Sequence, residues 1–232
     1  RDLRMSRGLG DVYKRQLDHN AMEIAQKRWD SIAKPLHSLG KLETLLIQIA
    51  GITGNAEVDL SRRGLIAMCA DNGVVEEGVT QTGQEVTAIV AENFLKYDTS
   101  VGVMCKQNHA EIFPVDMGMV TDTKVRTDHK IAYGTQNMTK GPAMTREQAV
   151  KGLEAGIDMV RELNDKGYRI LATGEMGIGN TTTSSAVASV LLKQPVEEMT
   201  GRGAGLTSEG LVRKINCLLY TSPSPRDMRR SR

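Results

Sequence analysis

Aromatic residues make up only 3% of this 232-residue chain, and cysteines number three. With so few rings, a stacking platform for single-stranded nucleic acid is not expected. The cysteines fall at no recognisable spacing, which fits a reducing compartment and not a disulfide framework. No apolar run approaches the length that spans a bilayer. The N-terminus is basic but lacks the apolar segment of a secretory signal, so the cytoplasm is the expected location. No internal repeats occur. What remains is 40% apolar and 25% charged, the balance of a soluble globular protein. The length suits one sizeable α/β domain with appendages.

Charge separates the ends from the middle. Residues 1–16 and 217–232 each carry a net +3 against a total of +2, so residues 17–216 carry −4. A basic tail can bind nucleic acid or membrane. Here composition breaks abruptly at both ends, and the stretches Val12–Gln16 and Leu218–Asp227 look like translated adapter sequence. Residues 1–16 and 217–232 are therefore expected to be non-native segments that add nothing to stability. Residues 17–60 are expected to form an N-terminal helical arm, and residues 61–216 an α/β domain.

Within that frame, helical patterning covers 20–33 and 41–50, with Pro35 in the connector. Leu65–Ala70 is an unbroken apolar run of the kind buried in parallel sheets. Helices are expected over Gln84–Phe94 and Val101–Gln107, then a strand at Glu111–Val115 weakened by Pro114. Thr145-Arg146-Glu147-Gln148 is a capping box that opens a long helix stopping near Gly167. A strand follows at Tyr168–Ala172, then a helix at Thr183–Leu192, and a last helix from Ser208 to Ile215. Strands alternating with helices predict a parallel βαβ sheet. Ligands in such sheets sit beyond the carboxyl ends of the strands. Asp71, Asp116 and Glu175 all lie at those ends.

The most informative stretch is Gly174-Glu175-Met176-Gly177-Ile178-Gly179-Asn180-Thr181-Thr182. Strand, glycine loop and helix in that order present backbone N–H groups to an anion. No Lys-Ser/Thr pair follows, which argues against a Walker nucleotide loop. A carboxylate, Glu175, stands at the entrance, which suits a phosphorylated sugar with hydroxyls or a developing cation. Gly201–Gly205 is a second glycine loop. Cys105 and His109 stand four apart on a helix but have no further metal ligands, so no metal site is expected.

The stretches KPLHSLGKLE (34–43), MCADNGVVEEGVTQTGQEVT (68–87), PVDMGM (114–119), GPAMTREQA (141–149), GEMGIGNTTTSSA (174–186) and GRGAGL (201–206) resemble, in order, the nicotinate-nucleotide:dimethylbenzimidazole phosphoribosyltransferases of cobalamin nucleotide-loop assembly. The sequence departs at Leu36-His37, where the family usually has Pro-Gly. The resemblance implies a Rossmann-like parallel sheet flanked by helices, with the C-terminal part of the family fold missing. It implies a homodimeric enzyme without cofactor or metal, and no nucleic-acid or membrane partner. The reaction would move 5-phosphoribosyl from nicotinate mononucleotide to 5,6-dimethylbenzimidazole. Glu175 would support the ribose and a cationic C1′, while the family's general-base glutamate has no counterpart here. Gly177, Gly179, Asn180, Gly201, Gly203 and Lys214 would hold phosphate or ribose. Thr80 and Gln84 would line the base pocket. A noncatalytic phosphate-binding module on the same sheet, or transfer to another base, are the alternatives.

Overall fold

The structure, a computed structural model, describes residues 16–221. The expectations for residues 1–15 and 222–232 lie outside the described residues. The chain divides into two compact units, between Ser61 and Arg62.

The first unit is a helix pair, α1 (His19–Ser31) and α2 (Lys41–Thr53). Asp18 caps α1 by accepting from the Ala21 N–H, and Gly54 ends α2 in the left-handed conformation. Glu43 is buried and pairs with Lys34 at 2.8 Å. His37 sits at φ +58, a conformation glycine adopts without strain.

The second unit is built on a three-stranded parallel sheet in the order β2 (Ala110–Gly118), β1 (Arg63–Ala70), β3 (Ile170–Met176). Helices cover both faces of its central strand, as parallel sheets require. Ala67 and Cys69 of β1 pack with Ala88, Ala91 and Phe94 of α3 (Glu85–Lys96) and with Cys105 of α4 (Ser100–Gln107). Ile66 packs on the opposite face with Met159 and Leu163 of α5 (Arg146–Asp165). Those last two stand four apart on the helix and are fully buried, each contributing about 1.5–3 kcal/mol. The capping box at Thr145 and Gln148 is formed, and Gly167 turns the chain at φ +88. Pro114 lies inside β2, opposite Ala67. Among the described strands β2 is an edge, where a missing N–H is tolerated.

Several expected boundaries move, and three of them bear on the glycine loop and the last helix. β3 runs through Gly174 and Glu175, which pair with Ala67 and Met68, so the glycine loop shrinks to Gly177–Gly179. The helix after it, α6 (Asn180–Leu192), starts three residues earlier than expected. Past the short α7 (Val196–Met199), the last helix α8 spans Ser208–Thr221 and does not stop at Ile215. Its Leu218 is fully buried. Residues 217–221 therefore belong to a packed helix, against the expectation that the tail adds no stability. The sequence carries no clear signal for the 3-10 turn Gly73–Glu77 or for α7.

A half-exposed cation fastens the segment after β2. Arg126 donates to Glu162 of α5 through Nη1 at 3.0 Å and Nη2 at 2.6 Å, and through Nε to Asp128 at 2.6 Å. Its backbone carbonyl also accepts from the Asp116 N–H at 2.8 Å.

Candidate active site

The strand order fixes where a ligand crevice belongs. From β1 the chain moves to β2 on one side, then crosses to β3 on the other, so the direction reverses between β1 and β3. Beyond the carboxyl ends of those strands lies a cavity of about 390 Å³. It is lined by Val79–Thr82 and Val86, by Met176–Thr181, and by Arg202, Ala204, Leu206 and Lys214.

The glycine loop is pressed against the end of β1. A Cβ on Gly177 would stand 2.2 Å from the Ala70 carbonyl oxygen. Gly179 takes φ +90 and hands over to α6, whose start has no side-chain cap. An uncapped helix start facing a cavity offers partial positive charge to an anion. Two side chains hold the loop in place. Asn72 donates through Nδ2 to the Ile178 carbonyl at 3.1 Å, and the Ile178 N–H donates to Thr87 Oγ1 at 3.0 Å. Gln84 adds a brace by donating to the Asn72 carbonyl at 3.1 Å.

Lys214 comes to the cavity from α8. Its side chain is fully buried, and its Nζ donates to Thr181 Oγ1 at 2.8 Å and to the Gly201 carbonyl at 3.0 Å. Both acceptors are neutral, which leaves the third ammonium proton for something else. Burial pulls the ammonium below the ordinary lysine value of 10.5. Among the described residues no Asp or Glu lines the cavity. Gly203, at φ +59, fits where a Cβ would come 2.6 Å from Thr181 Oγ1. The side chain of Gln81 donates to the Gly205 carbonyl and ties the second glycine loop to the segment before α3.

The structure thus gathers Thr80, Gly177, Gly179, Asn180 and Lys214 around one cavity, with Gly201 and Gly203 against the lysine. Gln84 stands behind the loop and is outside the lining. Glu175 is exposed on β3, one residue before the lining Met176, and is likewise outside it. Asp71 and Asp116 do not converge on the cavity as expected. Asp116 Oδ1 caps the turn after β2, accepting from Gly118 at 2.9 Å and Met119 at 2.7 Å, while Lys130 lies 3.1 Å from Oδ2. Asp71 accepts from the Val120 N–H at 2.8 Å, and burial raises its carboxyl pKa.

Sequence reasoning passed over Asn72, Gln81, Thr87 and Arg202, and gave Thr181 no role beyond that of a polar loop residue. The signal for Asn72 was its place two residues past a buried strand. Thr87, seventeen residues past that strand, closes the stretch 68–87, but nothing in it pointed to a contact with the glycine loop.

A family model described as phosphoribosyltransferase matches residues 15–220. The nicotinate-nucleotide–dimethylbenzimidazole phosphoribosyltransferase of Ruminiclostridium cellulolyticum is 48% identical over 219 residues, covering 92% of this chain and 62% of the relative. The protein of the same name in Clostridium acetobutylicum is 50% identical over 201 residues, covering 86% and 57%. Among solved structures, CobT from Thermus thermophilus superposes with a TM-score of 0.78 at 35% identity, over 87% of this chain and 61% of that one. The chain therefore spans 57–62% of the length of these relatives. With the sheet order, the glycine loop and the family match in agreement, this chain belongs to the phosphoribosyltransferase family.

Proposed function

We propose that the cavity binds the phosphoribosyl donor of a transfer from nicotinate mononucleotide to 5,6-dimethylbenzimidazole, yielding α-ribazole 5′-phosphate and nicotinate. The observation that carries this reading is Lys214, a buried ammonium on a cavity wall with two neutral acceptors and no carboxylate among the described lining residues. A buried cation costs free energy unless a partner answers it. A phosphate supplies that partner, and the uncapped start of α6 adds to it. The relatives' name supports the choice of donor.

In the reaction the C1′–N bond to the pyridinium breaks and its electron pair stays on the nicotinate nitrogen, so no acid is needed at the leaving group. A benzimidazole nitrogen attacks C1′ from the opposite face, which inverts β to α. C1′ gains positive character on the way. Gly177, Gly179 and Asn180 hold phosphate or ribose, with Gly201 and Gly203 shaping the lysine's surroundings. Thr80, with apolar neighbours Val79 and Val86, faces the incoming base, and Gln84 keeps that wall in register. Glu175 is assigned a supporting role toward the ribose. The benzimidazole's ring proton needs a base, and no carboxylate among the described residues lines the cavity. This chain should therefore bind donor and turn it over slowly. Soluble substrates and three free cysteines support a cytoplasmic setting, and no helix among the described residues is long and apolar enough to cross a membrane. A homodimer rests on the family resemblance alone.

Calorimetric titration with nicotinate mononucleotide, run beside an assay for α-ribazole phosphate, tests the reading. Saturable one-site binding with little product is expected. No binding at millimolar donor would contradict it. Rapid product formation would contradict the statement about the base.

A further inference from the structure

Among the described residues two cations line the cavity, and Lys214 accounts for one. The other is Arg202. Its guanidinium donates from Nη1 to the Leu206 carbonyl at 2.7 Å and from Nη2 to Ser208 Oγ at 3.1 Å. Both acceptors are neutral, so the charge is oriented without being neutralised. Five N–H donors are available to a guanidinium, and these two contacts leave others for a ligand. Arg202 is exposed while Lys214 is fully buried, so the two cations meet a ligand at different depths.

The donor carries two anionic groups, a phosphate and a ring carboxylate, with the ribose between them. We propose that Arg202 is the specificity-determining residue that receives the ring carboxylate, while Lys214 holds the phosphate. This rests on the donor assignment above. The planar fork of arginine matches a carboxylate through paired N–H bonds, whereas an ammonium acts as a point charge. Leu206, whose carbonyl holds the guanidinium, also lines the cavity and gives a flat ring an apolar surface. With no acidic residue in the described lining, a ring carrying a neutral amide in place of the carboxylate leaves Arg202 unanswered. The carboxylate does not change during transfer. The contact therefore acts on donor binding and leaves the bond-breaking step alone.

The test uses the full chain and three probes: nicotinate mononucleotide, nicotinamide mononucleotide and ribose 5-phosphate. Affinities are measured by calorimetry at low salt for the wild type, Arg202→Gln and Arg202→Lys. The wild type should prefer the nicotinate form by about tenfold, the range of one charge-assisted contact near solvent. Arg202→Gln should abolish that preference and leave ribose 5-phosphate within twofold. Arg202→Lys should restore part of it. Equal weakening of all three probes by Arg202→Gln would place Arg202 on the phosphate and overturn the proposal, as would an unchanged preference. Failure of every probe to bind the wild type would instead overturn the reading of the cavity itself, and the role of Arg202 with it.

Discussion

Arg126 and Lys214 belong to the same unit and meet opposite surroundings. Arg126 is partly open to solvent, yet two carboxylates, Asp128 and Glu162, take up its N–H groups. That pairing holds the Glu162 carboxyl down at about 2. Lys214 is fully buried, where a charge is most costly, and a hydroxyl and a carbonyl answer it. A fold seeking stability alone would arrange these the other way round. The difference teaches that Arg126 fastens the segment after β2 to α5, whereas Lys214 keeps an unanswered charge at a cavity. Charge left uncompensated in the interior marks a binding site with better contrast than charge itself does.

The comparison breaks most severely if the cavity wall is displaced. Gly177→Ala would push a methyl group into the Ala70 carbonyl, 2.2 Å away, and neither backbone can yield cheaply. A loss of about 3 kcal/mol is expected, the upper range for overpacking. In a domain of this size that lowers Tm by about 6–12 °C. Donor binding should fail with it. An unchanged melting curve would mean that the loop does not sit against β1.

Next in size is the fastened cation. Glu162→Gln removes one of the two carboxylates on Arg126 and should cost about 1 kcal/mol, allowing for solvent screening at a site this open. Urea unfolding would register it, and donor affinity should stay within twofold. A variant that lost donor binding while keeping stability would invert the roles given to the two cations.

Acid and base should sharpen the contrast, because the two groups titrate with opposite consequences. Glu162 has its folded pKa depressed, from an ordinary 4.5 to about 2. Its contribution is present above the ordinary value and lost as pH falls through about 2. Lys214 also has its folded pKa depressed, but it is a base, and the unfolded chain then holds its proton more tightly. Its burial therefore penalises the fold at neutral pH, and the penalty fades as pH rises toward the ordinary lysine value of 10.5. Urea midpoints taken from strong acid to mild base should show a Glu162-dependent fall at the acid end. That fall should be absent in Glu162→Gln.

In this chain the smallest effect belongs to Glu175. It is exposed and outside the cavity lining, so Glu175→Gln should leave donor affinity within twofold. In a full-length relative the same change should lower turnover by about tenfold to a hundredfold, through loss of a charge that favours a cationic C1′. Turnover within twofold of the parent would make Glu175 a residue of the strand only.

Much of this architecture was legible in the chain. The apolar run at Leu65–Ala70 and the capping box at Thr145 report local physics that survives in the fold. The glycine loop was legible as a motif, whereas Lys214 came only from the family resemblance. What failed was read from local signals that tertiary pairing overrides. Gly174 and Glu175 look like loop residues, yet hydrogen bonds to β1 draw them into a strand. Leu218 looks like foreign sequence by composition, yet the helix carries it into the core. Asp71 and Asp116 sit where catalytic carboxylates belong, but backbone N–H groups claim them. The partners of Lys214 were illegible for a simpler reason. Thr181 lies thirty-three residues away in sequence, and only the return of α8 to the cavity brings them together.

The most direct test of the account is a single variant, Lys214→Met, measured twice. Methionine keeps the length and apolar stem while removing the charge. If the ammonium is held for a phosphate, the variant should unfold at the same or a higher temperature, because a buried charge without a carboxylate has been removed. Its affinity for nicotinate mononucleotide should fall by about tenfold to a hundredfold. A variant that loses stability while binding the donor as before would show that Lys214 is a structural residue, and would contradict the assignment of the cavity.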